Sequence, residues 1–230
     1  MPVSTVSIPV GQWLDTTEGA RWWFDSGSFA LDFAYTGSIG GREGAEQLHS
    51  PDDLTAWLRE RFPVAVGVAR SRDLFDAIAL RDTIARMAIA ATQGEAARPS
   101  DIDVVNLYAA TPDIPPALAG GTRQAGRSVQ GVSQALSTIA RDAVDLFDAS
   151  RAGRIRKCSA DDCAMVYLDT SRAATRRWCS MQRCGNRAKV RAHRARKRPA
   201  IAASAQSDTA PAVTGRQPPQ ARLGALTIRR

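Results

Sequence analysis

The feature that most restricts how this 230-residue chain can fold is its set of four cysteines, spaced C-x4-C-x15-C-x4-C. They are Cys158, Cys163, Cys179 and Cys184, and the sequence contains no others. Two close pairs separated by a mid-length spacer allow four thiolates to converge on one tetrahedral ion, each pair forming one knuckle. The spacing therefore predicts that a small module folds around a structural zinc ion, Zn2+.

Other uses of four thiols fit the sequence less well. Disulfides need an oxidising compartment, and the chain opens without the basic and apolar segments of a signal peptide. A redox pair usually has two intervening residues, whereas each pair here has four. Iron–sulfur ligation, redox chemistry and chance spacing stay open beside zinc as alternatives.

Charge is divided unevenly along the chain. Residues 1–150 carry 12 Lys or Arg against 19 Asp or Glu, whereas residues 151–198 carry 15 against 3. A compact basic segment beside an acidic body is typical of a polyanion-binding surface, with nucleic acid as the first candidate and a merely solvated face as the alternative. No apolar run reaches the roughly 18 residues that span a bilayer, so we expect a cytoplasmic protein with no membrane partner.

Residues 1–150 predict a multihelical domain, which makes the fold class mainly α. Ser50 before a proline is a helix-start signal, and apolar residues at three- and four-residue spacing predict helices at 51–62, 72–93, 100–111 and 129–147. Such stripes are more typical of a packed core than of a cofactor site.

The segment near residues 21–37 is ambiguous. Phe29, Leu31, Phe33 and Tyr35 alternate with smaller or polar residues, which favours a short β-hairpin. The alanines in the same segment also suit a helix, and both interpretations stay open.

The module that contains the cysteines, residues 154–198, is predicted to fold as a strand, a turn and a helix. Val166–Leu168 favours a strand, and Arg177–Cys179 can return antiparallel to it, which would bring the inner cysteines together. Gly185 follows the last cysteine and suits the tight backbone of a metal knuckle. Residues 154–198 therefore predict a treble-clef-like, four-cysteine zinc finger that ends in a basic helix. The tail, 199–230, is rich in small and polar residues and predicts disorder.

The expected C-terminal helix carries one basic face. Arg187, Arg191, Arg194 and Arg198 are four, three and four residues apart, so they share a side of the helix. Like charges at this spacing repel, and a polyanion lying alongside would relieve the repulsion. Asn186 is expected to cap this helix, and Trp178 to pack over the metal. The predicted nucleic-acid contacts are Arg176, Arg177, Asn186, Arg187, Lys189, Arg191, Arg194 and Arg198.

Residues 157–198 resemble the CGNR zinc-finger family, whose name is spelled by Cys184-Gly185-Asn186-Arg187, with Trp178-Cys179-Ser180-Met181 before it. In that family an N-terminal ABATE domain precedes the finger, and the ALDFAYT stretch from Ala30 to Thr36 is similar to part of it. The resemblance implies a mainly helical fold, zinc held by the four cysteines, and a DNA-binding, transcription-regulatory role. The family usually has asparagine where this chain has Tyr35.

Three functions remain to be compared. The first is a zinc-containing, DNA-binding transcriptional regulator, located at the nucleoid when bound, whose helical domain senses a small-molecule effector, oligomerises or holds a protein partner. The second is an RNA-associated finger, which the same charge would serve. The third is an enzyme with a pocket in the helical domain. The sequence lacks GxSxG, HExxH and P-loop motifs, and four cysteines leave zinc no open position, so we expect no enzyme.

Overall fold

The fold is mainly α-helical, as the sequence predicts, with two small antiparallel hairpins. It was obtained as a computed structural model, which describes residues 8–15, 19–39, 46–62, 66–115 and 129–204, with side chains up to residue 196. The elements are β1 (Gln12–Asp15), β2 (Arg21–Phe24), α1 (Phe29–Ala34), α2 (Pro51–Arg61), α3 (Ser71–Gln93), α4 (Pro99–Ala109), α5 (Val132–Phe147), α6 (Ala149–Ala152), β3 (Ile155–Lys157), β4 (Val166–Leu168), a π-helical turn (Met181–Gly185) and α7 (Asn186–Ser204).

The chain divides into two compact units, Met1–Lys189 and Val190–Arg230. The first holds the helices α1 to α6 and all four cysteines. Of the second, the structure describes α7 as far as Ser204, so residues 205–230 of the predicted disordered tail lie outside the described residues. None of the described helices is both long enough and apolar enough to cross a bilayer.

Local signals explain where the long helices begin and end. At α2, Ser50 accepts a hydrogen bond from the Asp53 backbone N–H while the Asp53 carboxylate accepts one from the Ser50 N–H, a reciprocal capping box. Helix α3 runs for 23 residues and stops at Gly94, whose φ of +73° is a left-handed conformation that glycine adopts without strain. The predicted boundaries of both helices are therefore correct within a residue.

The core of the first unit is built around α1, which packs against α3 and α5, while α4 lies against the same two helices. The fully buried side chains there include Leu31, Phe33, Leu80, Ile84 and Ile139. Burying each of them contributes about 1.5 to 3 kcal/mol relative to exposure, so these helices are held chiefly by their apolar faces.

The alternating segment at residues 29–35 is a helix rather than a strand. The hairpin lies earlier, where β1 pairs with β2 and Trp13 stands opposite Trp23. Every residue of α1 is buried, so the alternation of large and small side chains there does not mark the two faces of a strand. The Asp142 carboxylate fixes the start of α1 by accepting hydrogen bonds from the Ser28 hydroxyl and the Ala30 N–H, both at 2.7 Å.

One buried carboxylate, that of Asp32, lies in the middle of α1. It accepts hydrogen bonds from the Gly11 N–H at 2.6 Å and the Ser26 hydroxyl at 2.7 Å, and the Arg61 guanidinium is 3.6 Å away. Burial nevertheless dominates and raises the pKa of Asp32 to about 6, because the charged form loses more hydration than these partners replace.

Candidate metal centre

The four cysteine sulfurs lie within 4.8 Å of one another. The Sγ atoms of Cys163 and Cys179 are 3.7 Å apart, and those of Cys179 and Cys184 are 3.5 Å apart. A tetrahedral zinc ion with Zn–S bonds of about 2.3 Å separates neighbouring sulfurs by about 3.8 Å, so the cluster has the size that zinc requires. All four cysteines are free thiols, and four sulfur ligands complete the coordination of a structural ion.

The first cysteine pair is carried by a hairpin that the sequence did not predict. Strand β4 pairs with β3, which precedes Cys158, and not with residues 177–179. Residues 177–179 instead approach the first knuckle: the Arg177 carbonyl accepts from the Ser159 N–H at 2.9 Å, and the Cys179 N–H lies 3.4 Å from the Cys158 sulfur. The inner cysteines are thus close, as expected, but through this crossing segment and not through a second hairpin.

The second cysteine pair sits at the start of the helical segment. Ser180 is the cap, since its hydroxyl accepts from the Arg183 N–H at 3.4 Å, and the π-helical turn runs directly into α7. The prediction that Asn186 caps the helix is therefore wrong, because Asn186 already lies within the continuous helix. Its side-chain amide donates to the Gln182 carbonyl at 3.3 Å.

Gly185 lies in close packing with the side chains of Met181 and Trp178. A Cβ atom at this position would lie 2.8 Å from the Met181 sulfur and 3.3 Å from Cδ1 of Trp178. Its φ is not in the left-handed region, so the freedom of glycine to adopt that conformation is not what the knuckle uses. Trp178 is half-buried and packs against the core beside this turn, close to where the sequence placed it.

Electrostatics within the cluster favour a bound cation. Hydrogen bonds from the thiols of Cys163 and Cys179 lower the pKa of Cys158, because they stabilise its thiolate. The same contacts raise the pKa of Cys163 to about 12 and raise that of Cys179 as well. Without a metal ion only part of the cluster can ionise, whereas a divalent ion stabilises all four thiolates together.

Arg187 supports the metal site directly. Its Nη2 atom is 3.2 Å from the Cys184 sulfur, and its Nη1 atom is 3.0 Å from an Asp162 carboxylate oxygen. The hydrogen bond to Cys184 raises the pKa of Arg187, so the guanidinium stays charged beside the thiolate. Zinc with four thiolates has a net charge of about −2, and a cation at this distance offsets part of it.

Arg176 is also held inside the first unit. Its guanidinium lies 4.1 Å from the centre of the Tyr167 ring. It donates to the carbonyls of Trp178 at 3.1 Å, Cys179 at 2.6 Å and Asp25 at 2.8 Å. Arg176 and Arg187 were predicted as nucleic-acid contacts, and sequence spacing gave no signal of these structural roles.

The other predicted contacts are solvent-facing. Arg177 is exposed, with its guanidinium 5.2 Å from the centre of the Trp178 ring, and Lys189 is exposed near the start of α7. In the second unit, Arg191 and Arg194 are exposed and three residues apart on α7. Arg198 belongs to the same helix, and its side chain lies outside the described residues.

The hairpin that carries the first knuckle is bonded to the helical part of the first unit. The Tyr35 hydroxyl donates to the Val166 carbonyl at 2.9 Å and accepts from the Val166 N–H at 2.7 Å, and all of these groups are buried. The Ser26 carbonyl accepts from the Leu168 N–H at 2.8 Å. These residues are far apart in sequence, so their contacts could not be predicted from local patterns. The sequence marked position 35 only by having tyrosine where the family usually has asparagine.

A cavity of about 560 Å³ lies between α3, α4 and α5. Its walls are largely apolar and include Met87, Val105, Val144 and Phe147. A volume of this size is within the roughly 300 to 1,000 Å³ of small-molecule sites.

Two family models match the chain. Residues 27–150 match ABATE, described as "putative stress-induced transcription regulator", and residues 154–197 match the CGNR zinc finger. No curated protein matches the chain.

Proposed function

Because the chain belongs to the ABATE family of putative stress-induced transcription regulators and carries a CGNR zinc finger, we propose that it regulates transcription by binding DNA through its zinc-anchored basic segment. The observation that carries this proposal is the cluster of four sulfurs at tetrahedral spacing, directly joined to a helix rich in arginine. Both matched families are non-enzymatic by description, which supports a binding role and not a catalytic one.

The role of zinc in this proposal is structural. Cys158, Cys163, Cys179 and Cys184 would hold the ion, and Arg187 would balance part of the thiolate charge. The ion supplies a fixed junction between the β3–β4 knuckle and the start of α7. Binding and folding of such a small site are coupled, so the helix is presented only when the metal is bound.

The DNA contacts that we propose are the predicted cations other than Arg176 and Arg187, whose guanidinium groups have partners near the metal. If all five contacted phosphates, a plot of log affinity against log salt concentration would have a slope of about −4.5, because each phosphate contact contributes about −0.9. This set consists of Arg177, Lys189, Arg191, Arg194 and Arg198.

The helical domain is the proposed sensor. Its apolar cavity between α3, α4 and α5 has the size of an effector site, and such a ligand would act on a unit whose core includes the finger hairpin. The protein would work in the cytoplasm and be associated with the nucleoid while bound to DNA.

Electrophoretic mobility shifts of the zinc-loaded full chain on genomic fragments test the proposal, with bulk DNA and structured RNA as competitors. We expect a subset of fragments to resist bulk competitor, and Arg191→Gln with Arg194→Gln to weaken all complexes. Arg70→Gln with Arg72→Gln removes the same charge at the start of α3 and serves as the matched control. Equal competition by every DNA, or displacement by RNA alone, would refute a DNA-binding regulator.

A further inference from the structure

A second basic surface lies within the first unit, in a cleft between the C-terminal end of α3 and the β3–β4 hairpin. The cleft has a volume of about 560 Å³. Four cationic side chains line it, Arg156, Lys157, Arg176 and Arg177, together with hydroxyl groups such as that of Ser159. Within the described parts of the chain, none of the residues that line it carries a carboxylate side chain.

The hairpin register places Arg156 on the same side as Tyr167 and Arg176. Arg156 stands opposite Tyr167 in the antiparallel pair, so both side chains project from the same face of the hairpin. Arg176 covers the Tyr167 ring on that face, with its guanidinium 4.1 Å from the ring centre. Arg177 follows directly in the chain and is exposed at the cleft.

No ion pair between residues that the structure describes neutralises the four cations of this cleft. Arg176 is held by main-chain carbonyls, which fix its position without removing its net charge. Among the described residues, no carboxylate lies within 4.0 Å of the charged groups of Arg156, Lys157, Arg176 or Arg177. The cleft therefore presents Arg156, Lys157 and Arg177 to an incoming anion, while Arg176 adds its charge from a fixed position.

Opposing fields come from the C-terminal end of α3, from the Asp169 carboxylate and from the thiolates of the metal site. A helix end of this kind carries about half a negative charge. Its Ala90 and Ala91 carbonyls already accept hydrogen bonds from the Glu95 and Gly94 N–H groups, which form the cap. The Asp169 carboxylate accepts a hydrogen bond from the Arg176 backbone N–H at 2.9 Å, and Cys158 of the metal site follows Lys157 directly. Arg154 offsets part of the Asp169 charge and Arg187 offsets part of the thiolate charge, so the four cations leave the potential in the cleft positive.

We propose that this cleft binds backbone phosphates of the nucleic acid, so that the β3–β4 hairpin is a contact surface in addition to α7. The inference rests on the proposed function and deepens it, since it adds Arg156 and Lys157 to the contacts. Arginine donates two parallel hydrogen bonds to phosphate, and the hydroxyl groups in the cleft add neutral donors. A contact of this type fixes the orientation of the finger on the duplex and carries no sequence information.

The test is the salt dependence of binding to a fluorescent duplex of random sequence, measured by anisotropy with the zinc-loaded full chain. Arg156→Gln with Lys157→Gln removes the two contacts that this inference adds. It should reduce the magnitude of the log–log slope by about 1.8, because two phosphate contacts are lost. Between roughly 50 and 200 mM salt, the variant should therefore lose about 12-fold less affinity than the wild type. Arg156→Lys with Lys157→Arg keeps both charges and should retain most of the slope.

The matched control, Arg70→Gln with Arg72→Gln, removes two positive charges about 33 Å away at the other end of α3 and should leave the slope unchanged. If the wild type binds the duplex and Arg156→Gln with Lys157→Gln shows the same slope, the cleft is overturned while DNA binding through α7 is left intact. An equal loss in the control pair would also overturn it, because net charge alone would then account for the effect. A wild type that does not bind the duplex would refute the proposed function, and the cleft with it.

Discussion

Tyr35→Phe is the substitution whose effect the structure predicts most directly. The Tyr35 hydroxyl both donates to and accepts from the backbone of Val166, and both residues are fully buried. Phenylalanine keeps the packing of the ring but leaves a buried N–H and a buried carbonyl without a partner. Each unsatisfied group costs about 1 to 3 kcal/mol, so we expect a loss of about 2 to 6 kcal/mol. This is a large part of the roughly 5 to 15 kcal/mol that stabilises a typical domain.

Urea unfolding of the zinc-loaded protein measures this loss. Tyr108→Phe is the matched control, because it removes the same atom from a half-buried tyrosine whose hydroxyl donates to Asp76 at 3.1 Å. Water can replace that donor at the carboxylate, so the control should lose no more than about 1 kcal/mol. Equal losses in the two variants would refute the reasoning, since the bond between Tyr35 and the finger hairpin would then contribute nothing particular.

Three further predictions concern the same unit. Removal of zinc by a chelator, or Cys179→Ala, should unfold the finger and also lower the midpoint of thermal unfolding followed by the helical circular dichroism signal. The reason is that β4 belongs to the core shared with the helices. An unchanged midpoint would contradict this. Gly27→Ala should lower the free energy of unfolding by about 2 to 4 kcal/mol, because the added Cβ would collide with the Leu168 carbonyl oxygen. Gly19 has the same φ of +80° but open space around it, so Gly19→Ala is the control for backbone strain. An equally large loss in Gly19→Ala would show that strain alone, and not the contact with Leu168, accounts for the effect. Burial raises the pKa of Asp32 to about 6, so the folded state binds this proton more tightly than the unfolded chain. The stabilising contribution is complete well below about pH 4 and is lost as pH rises through about 6. Relative to Asp32→Asn, the wild type should gain about 2.4 kcal/mol in the free energy of urea unfolding between pH 7 and pH 4, and parallel curves would contradict the assignment.

The sequence predicted the elements whose signals are local. Helix α3 has an uninterrupted apolar period that ends at Gly94, and α2 has its serine cap and proline. The four cysteines predicted a metal cluster because thiol spacing is itself a geometric constraint. In each of these cases the information lies within a few turns of chain.

The parts that could not be predicted depend on packing between distant segments. Strand β3 has only three residues and no alternation that would identify it, and its pairing with β4 follows from the fold of the whole unit. Arg187 on a basic helix looks the same in sequence whether it meets a phosphate or the Cys184 sulfur. Helix α1 is buried on all sides, so no periodic pattern distinguishes it from a strand.

The hydrogen bonds between Tyr35 and Val166 determine which pieces of this protein are useful as reagents. A fragment that began at residue 154 would contain every zinc ligand and the basic helix, and it would seem a natural minimal binder. It would also lack the Tyr35 hydroxyl that bonds the Val166 backbone and the Ser26 carbonyl that accepts from Leu168. Val166 and Leu168, both buried in the intact unit, would then be exposed. Such a fragment would hold zinc more weakly than the full chain, and grafting it onto an unrelated carrier would require a replacement for the surface that α1 and the Ser26 loop provide.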